Sequence, residues 1–229
     1  MGKGEGFGKV ILFNEHFVVY GIPAIASAIG EKTTAQVQRR AGYGIEIEDE
    51  RPETKGYKAE KGAQQKESLD LMLKFMKINT IKDAYRVTLG GDLVAASGVG
   101  ASAASCAAIA RAFSEELQLN YSDDKVNEVA YEGEKGYHGT PSGIDNTAAT
   151  YGGLIWYKRK DASHLMERMK LKKPQDGAAA IHRPGGGAAD QRLRLRRCRA
   201  GGSARARPGP AFVAGYQDHR RPGAASSRC

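Results

Sequence analysis

Cysteine is scarce in this chain. Its 229 residues include only Cys106, Cys198 and Cys229, which do not have the spacing of metal ligands. We therefore expect a reducing, cytosolic setting. The N-terminus lacks the basic region, apolar run and small-residue cleavage site of a secretory signal. No apolar run approaches the roughly 20 residues of a membrane-spanning helix, so we expect a soluble protein without a membrane partner.

Lysine and glutamate are both missing from residues 174–229. These 56 residues hold eleven Arg and three Asp, so they carry eight of the nine net positive charges of the chain. Gly, Ala, Arg and Pro make up 37 of the 56, and no amphipathic period is visible. We therefore expect a folded domain over residues 1–173 and a basic, disordered tail over residues 174–229.

Two explanations of the tail remain open. Its composition is typical of GC-rich coding DNA read out of frame, so one hypothesis is a frameshift near Gln175. The other is a nucleic-acid-binding tail that contacts phosphates, which predicts binding with a steep salt dependence. The arginine-rich run at residues 192–197 is short, and only Phe212 and Tyr216 are available for base stacking. We therefore favour the frameshift and do not expect a nucleic-acid partner.

The first 173 residues have the mixed pattern of an α+β fold. Short apolar stretches predict strands, and stretches with one apolar face predict helices. The predicted strands cover residues 9–13, 23–29, 33–38, 45–47, 85–89, 147–151 and 154–158, and the predicted helices cover residues 64–78, 107–119 and 122–134. The strands and helices do not alternate regularly, which argues against a doubly wound parallel sheet.

Residues 134–152 carry the most informative pattern. Glu134 falls at the end of a predicted helix, and Asp145 follows a Thr-Pro-Ser-Gly turn that would place it outside regular structure and facing a cleft. One carboxylate beside a substrate hydroxyl can orient that group and accept its proton, and a second carboxylate on a helix can hold Mg²⁺. The pair therefore suits phosphoryl transfer.

A segment of small residues precedes one of the predicted helices. It reads Ser-Gly-Val-Gly-Ala-Ser-Ala-Ala at residues 97–104. Small residues let backbone amides approach an anion, and a helix N-terminus adds a partial positive charge, so phosphate is the natural ligand. The segment lacks the Gly-Lys-Ser/Thr of a Walker loop and the dinucleotide fingerprint, so a tight structural turn is an equal alternative.

Charged and polar residues lie at both ends of the first predicted strand. Lys9 begins it, and Glu15 and His16 follow its end. Lys9 could reach a phosphate or lower the pKa of a substrate hydroxyl, and the other two could hydrogen-bond a polar substrate. Taken singly, each has a simpler explanation, because a strand-edge Lys is normally solvated and a lone His usually serves the fold.

Together these segments resemble the GHMP kinase superfamily, and within it the mevalonate kinases. The resemblance rests on Gly-Lys-Val-Ile-Leu-Phe-Asn-Glu-His-Phe-Val-Val-Tyr-Gly at 8–21, Gly-Val-Gly-Ala-Ser-Ala-Ala at 98–104 and His-Gly-Thr-Pro-Ser-Gly-Ile-Asp-Asn at 138–146. It covers residues 6–173 and implies the superfamily's N-terminal domain, which has a ribosomal S5 domain 2-like fold. The implied reaction is phosphorylation of mevalonate to 5-phosphomevalonate, with ATP and Mg²⁺ as cofactors and a homodimer as the family's assembly. Galactokinase, homoserine kinase and a non-catalytic nucleotide-binding scaffold remain alternatives.

The resemblance also assigns a role to each matching position. Asp145 would be the catalytic aspartate, and Lys9 would assist deprotonation of the primary hydroxyl of the substrate. Glu134 and Ser102 would be the Mg²⁺ ligands, and Glu15 and His16 would contact the substrate. The loop around the ATP phosphates would comprise Gly98, Gly100, Ala101, Ser102 and Ala103.

Some features depart from the family pattern. Phe7 replaces a Pro, Asn14 replaces the Gly before Glu-His, and Ala101 replaces the first of two serines. Asn tolerates a left-handed backbone, so Asn14 is a mild change. The resemblance also implies a second, ferredoxin-like domain after the 150s, and the sequence shows none of it. We therefore expect this C-terminal domain to be missing or replaced by the tail, with an exposed apolar surface and with activity reduced or lost.

Overall fold

The computed structural model describes residues 1–160 and 163–170, apart from the side chains of Lys58 and Ser163. Three predictions lie outside the described residues: the tail over residues 174–229, the frameshift near Gln175 and the domain boundary at residue 173. The strands are β1 Gly2–Phe13, β2 Ala24–Arg40, β3 Gly44–Asp49, β4 Ala84–Gly91, β5 Leu154–Lys160 and β6 Ser163–Met169. The helices are α1 Tyr57–Met76, α2 Ala101–Glu116, α3 Asp123–His138 and α4 Ile144–Tyr151, with a 3₁₀ helix at Phe17–Tyr20.

The six strands form one mixed sheet around β2, which confirms the predicted α+β class. β1 pairs antiparallel with β2 along one edge, and β4 and β5 pair antiparallel with the two ends of its other edge. β3 pairs parallel with β4, and β6 pairs antiparallel with β5. The main core lies between the sheet and the helices and includes Val87 of β4, Phe113 of α2 and Val129 of α3. Cys106 is buried in this core, where it is a small packing residue of α2.

Glycines bring β1 unusually close to α2. A Cβ atom added to Gly2, Gly4 or Gly6 would lie 2.1 Å from the carbonyl oxygen of Ala112, Ala108 or Ala104, respectively. These alternate strand positions all face the helix. The backbone of β1 therefore packs directly on α2, and this contact places Lys9 next to the start of that helix.

Several predicted boundaries were wrong. The strand predicted over residues 147–151 is part of α4, because Ile144 and Ala148 lie one turn apart and both pack in a small cluster with β2 and β5. The two strands predicted over 23–29 and 33–38 are the single strand β2, and α2 begins at Ala101 instead of residue 107. β6 was not predicted. Tertiary packing decided these elements, since short segments rich in Ala and Thr have weak local preferences.

Within the described part of the chain, no helix is long and apolar enough to span a membrane.

Candidate active site

Lys9 and Asp145 form an ion pair. Lys9 Nζ lies 3.0 Å from Asp145 Oδ1, with Lys9 nearly buried and the Asp145 side chain 28% exposed. The pairing register of β1 with β2 shifts between Phe7 and Lys9, and such irregularities redirect side chains. The Lys9 backbone N–H also donates to the carbonyl oxygen of Val99 at 2.8 Å. This bond ties the strand that carries Lys9 to the loop before α2.

Asp145 lies in the first turn of α4, so the prediction that it stands outside regular structure was wrong. The turn before it does end at a constrained glycine, because Gly143 has φ +89° and a Cβ there would lie 2.4 Å from the Tyr157 hydroxyl. A carboxylate at a helix N-terminus is stabilised by the helix dipole. The helix therefore presents the Asp145 carboxylate to Lys9 and leaves part of it open to solvent.

Glu134 is almost completely buried on α3, with 1% of its surface exposed. The helix starts at the Ser122 cap, as predicted, but it continues four residues beyond Glu134 to His138. Burial raises the Glu134 pKa to about 8, and the Asp145 charge adds to that rise. The Ser102 hydroxyl and the Lys9 charge act in the opposite direction. The structure thus brings Lys9, Ser102, Glu134 and Asp145 into one cluster.

The cluster offers oxygen ligands suited to a hard cation. Within the described residues, Glu134 Oε1 is buried and has no hydrogen-bond partner, and His138 Nε2 is 3.7 Å from Oε2. No group of three His, Cys, Asp or Glu side chains that could hold a metal occurs in this part of the chain. Mg²⁺ usually takes one or two carboxylates and completes its coordination with water and substrate phosphates. Glu134 and Ser102 therefore fit a magnesium site that a nucleotide would complete.

The loop before α2 has the backbone geometry of an anion site. Gly98 and Gly100 have φ +79° and +77°, and Gly100 caps the 16-residue helix without a side-chain hydrogen bond. The first amides of a helix, here those of Ala101, Ser102 and Ala103, have no acceptor within the helix. A Cβ on Gly100 would lie 2.7 Å from Lys9 Cγ, whereas one on Gly98 would meet nothing within 4 Å. Lys9 therefore packs against one side of the loop, and space for a ligand remains beside Gly98.

Sequence reasoning missed Arg51, a buried residue that braces this loop. Its guanidinium forms a two-pronged ion pair with Asp49 and donates to the Ala101 carbonyl oxygen at 3.2 Å and to the Ser105 hydroxyl. The Asp49 carboxylate raises the pKa of Arg51 against the effect of burial, so the side chain stays charged. The pattern Asp-Glu-Arg at the end of a strand carries no signal for such a role, because Ala101 and Ser105 are 50 and 54 residues away from Arg51.

Glu15 and His16 are exposed in the turn after β1. The His16 ring contacts the rings of Phe17 and Tyr20 edge-on. Among the described residues, no hydrogen bond or ion pair joins either side chain to the cluster, so their role as substrate contacts stays a prediction. Asn14 has φ +62° and donates to the Pro23 carbonyl oxygen, which agrees with its expected tolerance of a left-handed backbone.

Exposed apolar side chains flank the turn with Glu15 and His16 in the sequence. Six of its neighbours, Leu12, Phe13, Phe17, Val19, Tyr20 and Ile22, are exposed large hydrophobic residues. That these side chains form the apolar surface expected beside a second domain stays a prediction.

Comparison with known proteins agrees with this geometry. Residues 63–153 match the family model of the GHMP kinases N terminal domain. This chain carries a GHMP kinase N-terminal domain. It is 30% identical to the mevalonate kinase of Pyrococcus abyssi over 174 residues, which cover 69% of this chain and 51% of the relative. It is 34% identical to the mevalonate kinase of Aeropyrum pernix over 66% of this chain and 49% of the relative.

Solved structures show the same relation. The crystal structure of L. major mevalonate kinase in complex with R-mevalonate is 45% identical, with a TM-score of 0.71 over 76% of this chain and 53% of that one. The mevalonate kinase from methicillin-resistant Staphylococcus aureus is 26% identical, with a TM-score of 0.56 over 74% of this chain and 56% of that one. The chain thus spans about half the length of the mevalonate kinases that it matches.

The stability of this kinase domain is expected to fall as the pH rises from about 4.5 to about 8. Glu134 has an ordinary pKa of 4.5 when unfolded and about 8 when folded. Between these values the folded protein holds a proton that the unfolded chain has released, so raising the pH favours unfolding by up to about 1.4 kcal/mol per pH unit. Urea unfolding at several pH values measures this slope. Glu134→Gln should flatten it, and an unchanged slope in that variant would assign the effect to another group.

Proposed function

We propose that this protein catalyses the ATP-dependent phosphorylation of mevalonate to 5-phosphomevalonate. The observation that carries the proposal is the Lys9–Asp145 ion pair beside the glycine loop and the buried Glu134. The similarity to proteins named mevalonate kinase supports it, as does the likeness to an L. major structure solved in complex with R-mevalonate.

The two members of the ion pair have complementary tasks. Asp145 accepts the proton of the primary hydroxyl of mevalonate, and the freed oxygen attacks the terminal phosphorus of ATP while the bond to ADP breaks. Lys9 holds the Asp145 carboxylate in place at 3.0 Å, and its charge favours the alkoxide that forms. Because Lys9 is nearly buried, its charge is screened less than that of a surface lysine.

The loop and the buried carboxylate would hold the phosphates. The free amides at the start of α2, at Ala101, Ser102 and Ala103, and the open backbone at Gly98 and Gly100 suit the ATP phosphate oxygens. Glu134 and Ser102 would hold Mg²⁺, which when bound neutralises the charge of the phosphates. Glu134 must lose its proton to do so, and the cation itself would favour that loss.

No contact among the described residues identifies the side chains that bind the substrate. We propose Glu15 and His16 as contacts to mevalonate, since they follow the strand that presents Lys9. The second half of the kinases that this chain matches has no counterpart in the described residues. The homodimer implied by the family resemblance stays a prediction. The activity of this chain by itself is therefore the first property to measure.

The direct test is turnover by the purified 229-residue chain. We expect product when R-mevalonate, ATP and Mg²⁺ are supplied together, detected by mass spectrometry, and no product when Mg²⁺ is chelated. Galactose and homoserine, tested in parallel, should not be phosphorylated. Phosphorylation of either instead of mevalonate would identify another GHMP kinase, and ATP binding without any product would indicate a non-catalytic scaffold.

A further inference from the structure

A buried pair of asparagines joins α3 to α4. Asn146 Nδ2 donates to Asn127 Oδ1 at 2.7 Å and to the Asn127 backbone oxygen at 3.3 Å. Asn127 is only 4% exposed and Asn146 only 2%. Because the backbone oxygen can only accept, the orientation of the Asn146 amide is determined, and its Oδ1 is left without a partner among the described residues.

Thr147 extends this network to the turn before α4. Its hydroxyl donates to the Gly143 carbonyl oxygen at 2.6 Å, and Asn127 Nδ2 approaches the same hydroxyl at 3.5 Å. The Asn127 side chain therefore contacts two consecutive residues in the first turn of α4. We call Asn127, Asn146 and Thr147 the amide clamp.

The amide clamp lies on the two helices that carry the carboxylates of the site. Asn146 directly follows Asp145 on α4. Asn127 precedes Glu134 by seven residues on α3, which is close to two helical turns, so both project from one face of that helix. The separation of the two carboxylates thus depends on how the first turn of α4 sits against α3.

We propose that Asn127 is a positioning residue, which acts through Asn146 to hold the first turn of α4, and hence Asp145, at its working distance from Glu134. The proposal rests on the function proposed above for these two carboxylates. α4 has only eight residues, and apolar contacts alone would let so short a helix shift. Hydrogen bonds between buried amides are directional and costly to leave unmade, so they define one position.

Kinetics of four variants test this role. Asn127→Ala and Asn146→Ala should each lower kcat for mevalonate by about 10- to 100-fold, since a shift of about 1 Å in a reacting group has effects of that order. The KM for ATP should stay within about twofold, because the glycine loop precedes α2 and is on neither α3 nor α4. The double variant should be no slower than the slower single variant, since the two side chains act as one unit.

Thr150→Val is the matched control. Thr150 is buried on the same helix, and its hydroxyl has no hydrogen-bond partner among the described residues. Removing that hydroxyl should leave kcat unchanged. Unchanged kcat per folded molecule in Asn127→Ala, together with a lower melting temperature, would show a purely structural role and overturn the proposal.

Hydrogen exchange tests the position of α4 without requiring turnover. A chain without turnover would refute the proposed function but would leave the amide clamp to be decided by exchange. In the full chain, Asn127→Ala should speed exchange in a peptide covering residues 143–151 by about tenfold or more, with β2 unchanged. Thr150→Val should match the wild type. The proposal would be overturned if Asn127→Ala accelerated exchange equally throughout the domain, or if it did not accelerate exchange in that peptide.

Discussion

Asp145→Asn is expected to lower kcat for mevalonate phosphorylation by about 10²–10⁴-fold, the range usually lost with a catalytic base. The amide has nearly the same size as the carboxylate, but it cannot accept the proton of the substrate hydroxyl. It also leaves Lys9 without the carboxylate at 3.0 Å. The KM for ATP should change little, because the loop amides are untouched. Steady-state kinetics with both substrates varied measures these effects.

Asp70→Asn is the matched control for that experiment. Asp70 is an exposed residue on α1, so the same chemical change there should leave kcat and both KM values at the wild-type level. Circular dichroism would establish that both variants fold. Turnover by Asp145→Asn within about threefold of the wild type would exclude Asp145 as the base and direct attention to another group near Lys9.

Gly4→Ala is expected to destabilise the domain by about 3 kcal/mol or more, at the upper end for overpacked sites. The added Cβ would lie 2.1 Å from the Ala108 carbonyl oxygen and 2.7 Å from the Ala112 nitrogen. Both atoms belong to the backbone of α2 and cannot turn aside, so the strand and the helix must separate. Because Lys9 is on the same strand, the Lys9–Asp145 pair should be disturbed as well. The free energy of unfolding in urea measures the loss.

Gly62→Ala provides the opposite control. Gly62 lies within α1, and a Cβ there would meet no atom within 4 Å. Alanine in an open helical position should raise stability by about 0.5–1 kcal/mol, since it restricts the unfolded chain and favours the helix. A Gly4→Ala variant as stable as the wild type would mean that β1 and α2 can move apart without loss.

Much of the secondary structure was visible in the sequence, because its signals are local. The start of α3 at Ser122 follows from a capping serine with two acidic residues after it, and the observed cap accepts a hydrogen bond from the Lys125 amide. α4 was mistaken for a strand because Thr and Tyr favour strands in isolation. The packing of Ile144 and Ala148 against the sheet outweighed that preference.

The contents of the candidate site were also largely visible. The resemblance to GHMP kinases named Lys9, Ser102, Glu134 and Asp145, and the structure brings these residues together. The resemblance did not point to Arg51 or Asn127, whose proposed roles depend on partners far along the chain. Glu15 and His16 were named as substrate contacts, and that assignment stays a prediction.

The GHMP kinase resemblance, the α+β class and the residue types of the candidate site could be predicted from the chain alone, because motifs, caps and periodicity are patterns of neighbouring residues. Three features could be seen only in the folded molecule: Lys9 contacts Asp145 across 136 positions, burial raises the pKa of Glu134 to about 8, and two asparagines join α3 to α4. Distances and burial arise when remote segments pack, and no local pattern specifies them.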